Sequence, residues 1–171
     1  SEMIGVKSRF YFMSGGVTEY DNWYKIDEPK CLELVNKINK RGHIIGIHPS
    51  YNAYNNSKQF KKEKDLLEQT LEQEITEGRG YYLRFEVPET WQIMEDANME
   101  IDSTCGYADR IGFRCGTGEE FSVFNILTRE KLKLKERPVI LMDFSLFGYQ
   151  KFGWSEIKNI VRKLTKNKNA I

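Results

Sequence analysis

Long apolar runs and paired cysteines are both missing from this sequence. No stretch approaches the ~20 consecutive apolar residues of a membrane-spanning helix, and residues 1–10 lack the apolar core of a signal peptide. The three cysteines, Cys31, Cys105 and Cys115, form no CxxC pair and leave an odd thiol, which argues against a zinc ribbon or a disulfide framework. We therefore expect a soluble, cytoplasmic protein without membrane insertion.

An excess of charge of either sign is also absent. The 26 basic and 25 acidic residues give a net charge of +1, so the overall charge does not indicate a nucleic-acid binder. A basic tail at residues 163–168 leaves contact with nucleic acid or acidic lipid as an alternative, although a short charge run is more often a solvated helix end. No GxSxG elbow occurs, and no GxGxxG follows a predicted strand, which disfavours nucleophilic hydrolases and dinucleotide enzymes.

The apolar residues that are present suffice for one core, since 40% of the 171 residues are hydrophobic and 13% are aromatic. Strands are predicted over residues 5–13, 43–48, 81–85, 99–102 and 138–143. Helices are predicted to begin near Pro29, Ser57, Glu89 and Trp154, and the second is predicted to end at Gly78. Strands alternating with helices indicate an α/β domain with parallel strands, although the chain is shorter than the ~250 residues of a closed eight-unit barrel.

The two histidines lie at either end of one predicted strand. His48 lies at the carboxyl end, where the loops after parallel strands usually assemble active sites. It is followed by the polar loop Pro49-Ser50-Tyr51-Asn52. From position alone, His48 is either a ligand or catalytic group, or a hydrogen-bonded structural histidine.

The stretch from Arg41 to His48, RGHIIGIH, resembles the GHEIGxH segment of polysaccharide deacetylases. The resemblance implies a partial or distorted β/α barrel with parallel strands. It also implies a divalent metal, most naturally zinc, with His48 as one ligand and Asn52 at the second ligand position, where the family usually has histidine. Because asparagine offers only a neutral oxygen, we expect a weakened site, or one that favours manganese or magnesium. His43 occupies the family's structural histidine position.

Two further segments extend the resemblance. Residues 82–88, YLRFEVP, lie where the family has an arginine that orients the catalytic base, which assigns that role loosely to Arg84. Residues 102–109 and 112–117, DSTCGYAD and GFRCGT, resemble a subgroup of surface-polysaccharide deacetylase homologues. In the family this region carries an aspartate of the catalytic site, so Asp102 is the first candidate and Asp109 the second. The alternative for Asp102 is a side chain that caps a turn.

Several polar and aromatic side chains are candidates for substrate binding: Ser50, Tyr51, Tyr107, Arg114 and Asp143. Arg114 would hold a carboxylate or a substrate oxygen, or form an ion pair that stabilises its own loop. Asp143 ends an apolar predicted strand, and the loop at residues 144–152 after it is rich in glycine and aromatic residues that can stack on sugar rings. The alternative is an ordinary packed loop.

Two elements of the family's catalytic apparatus are missing. No Asp-Asp pair occurs, and no histidine follows His48, so the aspartate base and the histidine acid have no counterparts. We therefore predict that residues 1–171 form a single domain that is incomplete at both ends, a fragment of a deacetylase that acts on an acetylated sugar of a surface polysaccharide or its precursor. The alternative is a non-catalytic carbohydrate-binding relative that keeps the aromatics Tyr51, Tyr54, Tyr107 and Phe147. Because an incomplete barrel exposes strand edges, a homo-oligomer is expected.

Overall fold

The computed structural model describes residues 5–166, and one mixed sheet organises them. Its strands are β1 Arg9–Phe12, β2 Ile44–Ile47, β3 Glu77–Gly78, β4 Ile101–Asp102, β5 Phe121–Asn125 and β6 Glu130–Glu136. Their order in the sheet is β1-β2-β3-β4-β6-β5, and all neighbours are parallel except the antiparallel pair β5 and β6. The predicted α/β organisation with parallel strands is thus confirmed, but the described sheet is open, with β1 and β5 at its edges.

The helices are α1 Pro29–Lys40, α2 Ser57–Leu71, α3 Glu89–Asp96 and α4 Trp154–Lys166. All four begin at the predicted residues. Pro29 suits the first turn of α1 because its fixed φ is helical and its missing N–H would have no partner there. Asn56 caps α2 by accepting a hydrogen bond from the backbone N of Gln59 at 3.1 Å. Within residues 5–166, no helix is both long enough and apolar enough to cross a membrane.

The core lies between the sheet and its helices. It includes residues of the strand β2 and of three helices: Ile45, Ile47, Val35, Ile38, Phe60, Leu67, Ile93 and Met94. The basic tail at residues 163–168 lies partly outside the described residues.

The third strand lies earlier in the chain than predicted. The helix α2 ends at Leu71, because Glu72 adopts a left-handed conformation with φ 51°, so the predicted end at Gly78 is wrong. Gly78 instead pairs with Ile47 in the sheet, where a Cβ atom would lie 3.0 Å from the Ile47 side chain. Residues 81–85 are not a strand, because the positive φ angles of Tyr82 and Leu83, 56° and 53°, form a short 3-10 turn.

The strand next to β4 also differs from the prediction. The apolar residues 138–143 contribute only one bridge, between Val139 and Gly106, whereas the charged segment EKLKLKE forms β6. Along β6 the side chains of Leu132, Leu134 and Glu136 are buried in alternation with exposed ones. This period of two fits a half-exposed strand in a hairpin with β5, and it contains no continuous apolar run that would predict a buried strand.

The parallel arrangement brings several chain segments to one side of the molecule. Because β1 to β4 run in the same direction, the residues that directly follow them lie along one edge of the sheet. These residues are Met13, His48, Arg79 and Ser103. Both the predicted histidine and an arginine not singled out from the sequence are therefore at this edge.

Candidate functional site

A groove of about 450 Å³ opens at the carboxyl edge of the sheet. It is lined by His48, residues 79–83, Ala108, Met142, Phe144 and Tyr149, and we call it the aromatic groove. Three of its aromatic side chains face solvent to an unusual extent, with Tyr82 62%, Phe144 63% and Tyr149 55% exposed. Clustered exposed aromatics are typical of surfaces that bind a ligand or partner.

His48 has a defined tautomer. Its backbone N donates to the carbonyl oxygen of Phe12 at 2.8 Å, which continues the pairing of β2 with β1. Its ring Nδ1 lies 2.5 Å from the carbonyl oxygen of Arg79, and because a carbonyl only accepts, Nδ1 carries the proton. The lone pair is therefore on Nε2. Burial lowers the pKa of His48 below its usual value, so the ring is neutral at neutral pH.

Arg79 connects the groove to the neighbouring strand. Its Nε donates to the carbonyl oxygen of Ser103 at 2.9 Å, and one terminal nitrogen donates to the Ser103 hydroxyl at 3.0 Å. Its guanidinium carbon lies 5.3 Å from the ring centroid of Tyr11. Sequence reasoning missed Arg79. The sequence places Arg79 between two glycines, Gly78 and Gly80, but the strand before it was hidden by the predicted helix that ends at Gly78.

Arg84, predicted to orient a catalytic base, instead contacts the loop after β2. Its guanidinium carbon lies 3.8 Å from the ring centroid of Tyr51 and 4.2 Å from that of Tyr54. Its Nη1 donates to the carbonyl oxygen of Tyr51 at 2.5 Å and to Asn52 Oδ1 at 3.3 Å. Arg84 therefore fixes this loop and does not line the aromatic groove.

Ser50 and Asn52 line a second pocket of about 360 Å³, together with Asp21 and Glu63. Ser50 is buried, and both its backbone N and its hydroxyl donate to the Glu63 carboxylate. Asp21 accepts from the backbone N of Tyr51 at 2.9 Å. Burial raises the pKa of Asp21, but the hydrogen bonds from the Tyr51 and Thr18 backbones outweigh it, and the net pKa is lowered.

The two residues predicted to bind metal thus lie in different pockets. His48 offers a lone pair on Nε2, whereas the oxygen of Asn52 accepts from the cationic Arg84, which disfavours a metal ion at that oxygen. Among residues 5–166, no three His, Cys, Asp or Glu side chains are grouped as a metal site would require. The donors that this part of the chain supplies do not fit a zinc ion, which usually takes at least three protein ligands.

Asp102 lies at the end of β4, as predicted, but its carboxyl group is sealed from solvent. Its side chain is 0% exposed and accepts a hydrogen bond from the Thr104 hydroxyl. It pairs in the sheet with Glu136, which is also 0% exposed and accepts from the backbone N of Cys105 at 2.9 Å and from Trp91 Nε1 at 3.4 Å. Burial, followed by the Asp102 charge, raises the pKa of Glu136 to about 10. We call these two residues the buried carboxyl pair.

The remaining substrate-binding candidates lie around the groove without lining it. Arg114 donates to the carbonyl oxygen of Gly106 at 2.9 Å, and its guanidinium carbon lies 5.9 Å from the Tyr107 ring centroid. Tyr107 is 37% exposed and precedes the groove residue Ala108. Asp143 is exposed and accepts from the backbone N of Phe144 at 2.8 Å, at the start of the helical segment that carries the groove aromatics.

No family model and no curated protein matches the sequence. The structure is similar to the crystal structure of a "putative polysaccharide deacetylase" from Mycobacterium smegmatis, with a TM-score of 0.59 and 15% sequence identity. The similarity covers 95% of this chain and 57% of that chain. At this identity the likeness establishes a shared fold, and the present chain spans little more than half the length of the protein it resembles.

Proposed function

We propose that this chain forms the substrate groove of a carbohydrate deacetylase, a hydrolase that removes acetyl groups from a sugar of a surface polysaccharide or its precursor. The observation that carries the proposal is the position of His48, a neutral imidazole at a strand end, within a groove rimmed by exposed aromatics. The fold shared with the M. smegmatis protein supports it.

The aromatic groove suits a sugar. The C–H faces of pyranose rings are apolar, and Tyr82, Phe144 and Tyr149 present rings on which such faces stack. Arg79 is also part of the groove lining and supplies a polar group beside the rings. The groove volume of about 450 Å³ lies within the range of roughly 300–1,000 Å³ of small-molecule sites, which fits a short stretch of polysaccharide.

His48 suits hydrolysis of an acetyl group. In this reaction water adds to the acetyl carbon, the bond from that carbon to the sugar nitrogen or oxygen breaks, and a proton moves from the water to the leaving group. The lone pair on His48 Nε2 can accept the proton of the attacking water. Any further catalytic groups would come from residues outside 5–166 or from a second copy, for which the open edges β1 and β5 leave room.

Because the described residues supply too few grouped donors, a divalent metal, zinc before manganese or magnesium, remains a prediction only for a site completed by residues outside 5–166. In that case the lone pair on His48 Nε2 would bind the metal instead of accepting the proton of water, and Asn52 would contribute only if Arg84 released its oxygen. The second candidate function is a non-catalytic carbohydrate-binding protein. It is favoured by the lack of a grouped set of metal donors among the described residues.

Calorimetry with chito-oligosaccharides, fully N-acetylated or fully deacetylated, tests the proposal. We expect the acetylated form to bind and Tyr82→Ala to weaken its binding about tenfold, the loss of roughly 1.4 kcal/mol of ring contact. Trp23→Ala is the matched control, since Trp23 is 95% exposed and lies outside the groove. Equal effects of the two variants, or no binding of either oligosaccharide, would contradict the proposal.

Acetate release separates the two candidate functions. Release that His48→Ala abolishes supports the deacetylase, and its suppression by EDTA would support the metal. Sugar binding that survives EDTA, with no acetate released under any metal supplement, supports the carbohydrate-binding protein.

A further inference from the structure

The thiol groups of Cys105 and Cys115 are in contact near the aromatic groove. Cys115 Sγ lies 2.7 Å from Cys105 Sγ, and both residues are free cysteines in this structure. Sulfur atoms in ordinary contact are further apart, and a disulfide bond is about 2.05 Å long. Only a small movement therefore separates the two sulfurs from a covalent bond.

The backbone of Cys105 is held in place by contacts other than the one between the thiols. The N–H of Cys105 donates to Glu136 at 2.9 Å, and its carbonyl oxygen accepts from the backbone N of Val139 at 2.9 Å. Arg114, next to Cys115, donates to the carbonyl oxygen of Gly106, next to Cys105, at 2.9 Å. The contact between Arg114 and Gly106 joins the two chain segments one residue away from each sulfur, so a contact other than that between the thiols supports their proximity.

We propose that Cys105 and Cys115 form a reversible disulfide that ties the loop of residues 106–114 to the sheet edge and stiffens one wall of the aromatic groove. The loop reaches the groove through Ala108, whose carbonyl oxygen accepts from the Ser145 hydroxyl at 2.7 Å. The next carbonyl oxygen, of Asp109, accepts from Gln150 Nε2 at 2.9 Å. Disulfide formation is independent of the proposed function.

Formation of the disulfide from two thiols requires an oxidant, and a small peroxide can serve as one. The hydrogen bond from Cys115 Sγ–H, assisted by the Arg114 charge, lowers the pKa of the Cys105 thiol. The Cys105 thiolate attacks one peroxide oxygen to give a sulfenic acid and hydroxide. The Cys115 sulfur then attacks the sulfenic sulfur, the S–S bond forms, and water leaves. In sum, two thiols and one hydrogen peroxide give one disulfide and two waters.

The third cysteine, Cys31, provides an internal control. It lies in α1, and burial, followed by the charge of Glu28, raises the pKa of its thiol. After mild treatment of the native protein with hydrogen peroxide, we expect the number of titratable thiols to fall from three to one. The mass should fall by two hydrogen atoms, and dithiothreitol should restore all thiols.

Peptide mapping identifies the bond. Arg110 and Arg114 lie between the two cysteines, so trypsin should release two peptides joined only through Cys105 and Cys115. Cys31→Ser should leave this product unchanged, and Cys115→Ser should abolish it. Three thiols remaining in the treated native protein would overturn the proposal, as would a bond that involves Cys31 or a second copy. Because the linked peptide is measured in the unmodified chain, misfolding of a variant cannot decide the outcome.

Discussion

The aromatic groove and the buried carboxyl pair lie at the same edge of the sheet and differ in access. His48 directly follows the parallel strand β2, Asp102 is the last residue of β4, and both are predicted site residues. His48 lines a groove and keeps a ring nitrogen with a lone pair, whereas Asp102 is fully enclosed with Glu136, Thr104 and Trp91 around it. A position at a strand end therefore brings a side chain to the edge, but the packing above it decides whether the side chain can meet a ligand.

Removal of the Glu136 side chain should give the largest difference in stability between the two regions. Glu136→Ala leaves the backbone N–H of Cys105 and the indole N–H of Trp91 without their acceptor and opens a cavity. We expect a loss of about 3 kcal/mol in the free energy of unfolding, measured by urea denaturation. His48→Ala should cost clearly less, because His48 is only partly buried. Similar losses for both variants would mean that the two regions do not differ as described.

The pH dependence of stability sharpens the comparison. Burial first and the Asp102 charge second raise the pKa of Glu136 to about 10, above its unfolded value of about 4.3. A raised folded pKa means that the stability contributed by this group is present below the unfolded pKa and is lost as the pH rises towards 10. Burial also raises the pKa of Asp102. The free energy of unfolding should therefore fall as the pH rises from about 4 towards about 10, by at most about 1.4 kcal/mol per pH unit for each of the two carboxyl groups that is protonated only in the folded state.

Glu136→Gln is the control for this titration. Glutamine stays neutral, can accept from Cys105 N–H, and can donate to Asp102 as a protonated glutamate would. The slope should flatten in this variant. An unchanged slope would assign the pH dependence to other groups.

A smaller effect is expected at the loop after β2. Arg84→Gln removes the guanidinium from the faces of Tyr51 and Tyr54, and we expect a loss of about 1 kcal/mol in stability. Because Arg84 does not line the aromatic groove, the affinity for acetylated chito-oligosaccharide should change much less than in Tyr82→Ala. A larger loss of affinity in Arg84→Gln would place the substrate against this loop and in the pocket of Ser50 and Asn52.

The sequence predicted elements whose signals are local. The helix starts at Pro29 and Ser57 and the strand before His48 depend on short stretches of sequence, among them a proline at a helix start and a short apolar run, and all three are confirmed. The strand β6 was missed because its lysines hide an alternating pattern. The apolar composition of residues 138–143 predicts a strand, but the hairpin of β5 and β6 occupies the place beside β4.

The candidate site was less predictable because its features depend on contacts between distant residues. Nothing near Asp102 in the sequence reveals that the register of β4 with β6 places it beside Glu136. The carbonyl oxygen that fixes the His48 tautomer belongs to Arg79, 31 residues away. The local motif predicts a role for Arg84, which contacts the loop after β2, and it gives no sign that Arg79 lines the groove.

The most direct test of the central claim is a nuclear magnetic resonance titration of the histidine side chains with N-acetylated chito-oligosaccharide. The chain has only two histidines, and His43, at the other end of β2 beside Phe10, serves as an internal reference. The account predicts an Nδ1-protonated His48 whose Nε2 signal moves on addition of the sugar while the His43 signals stay in place. Signals of both histidines that stay unchanged at saturating sugar, or that move together, would contradict the assignment of the aromatic groove as the substrate site.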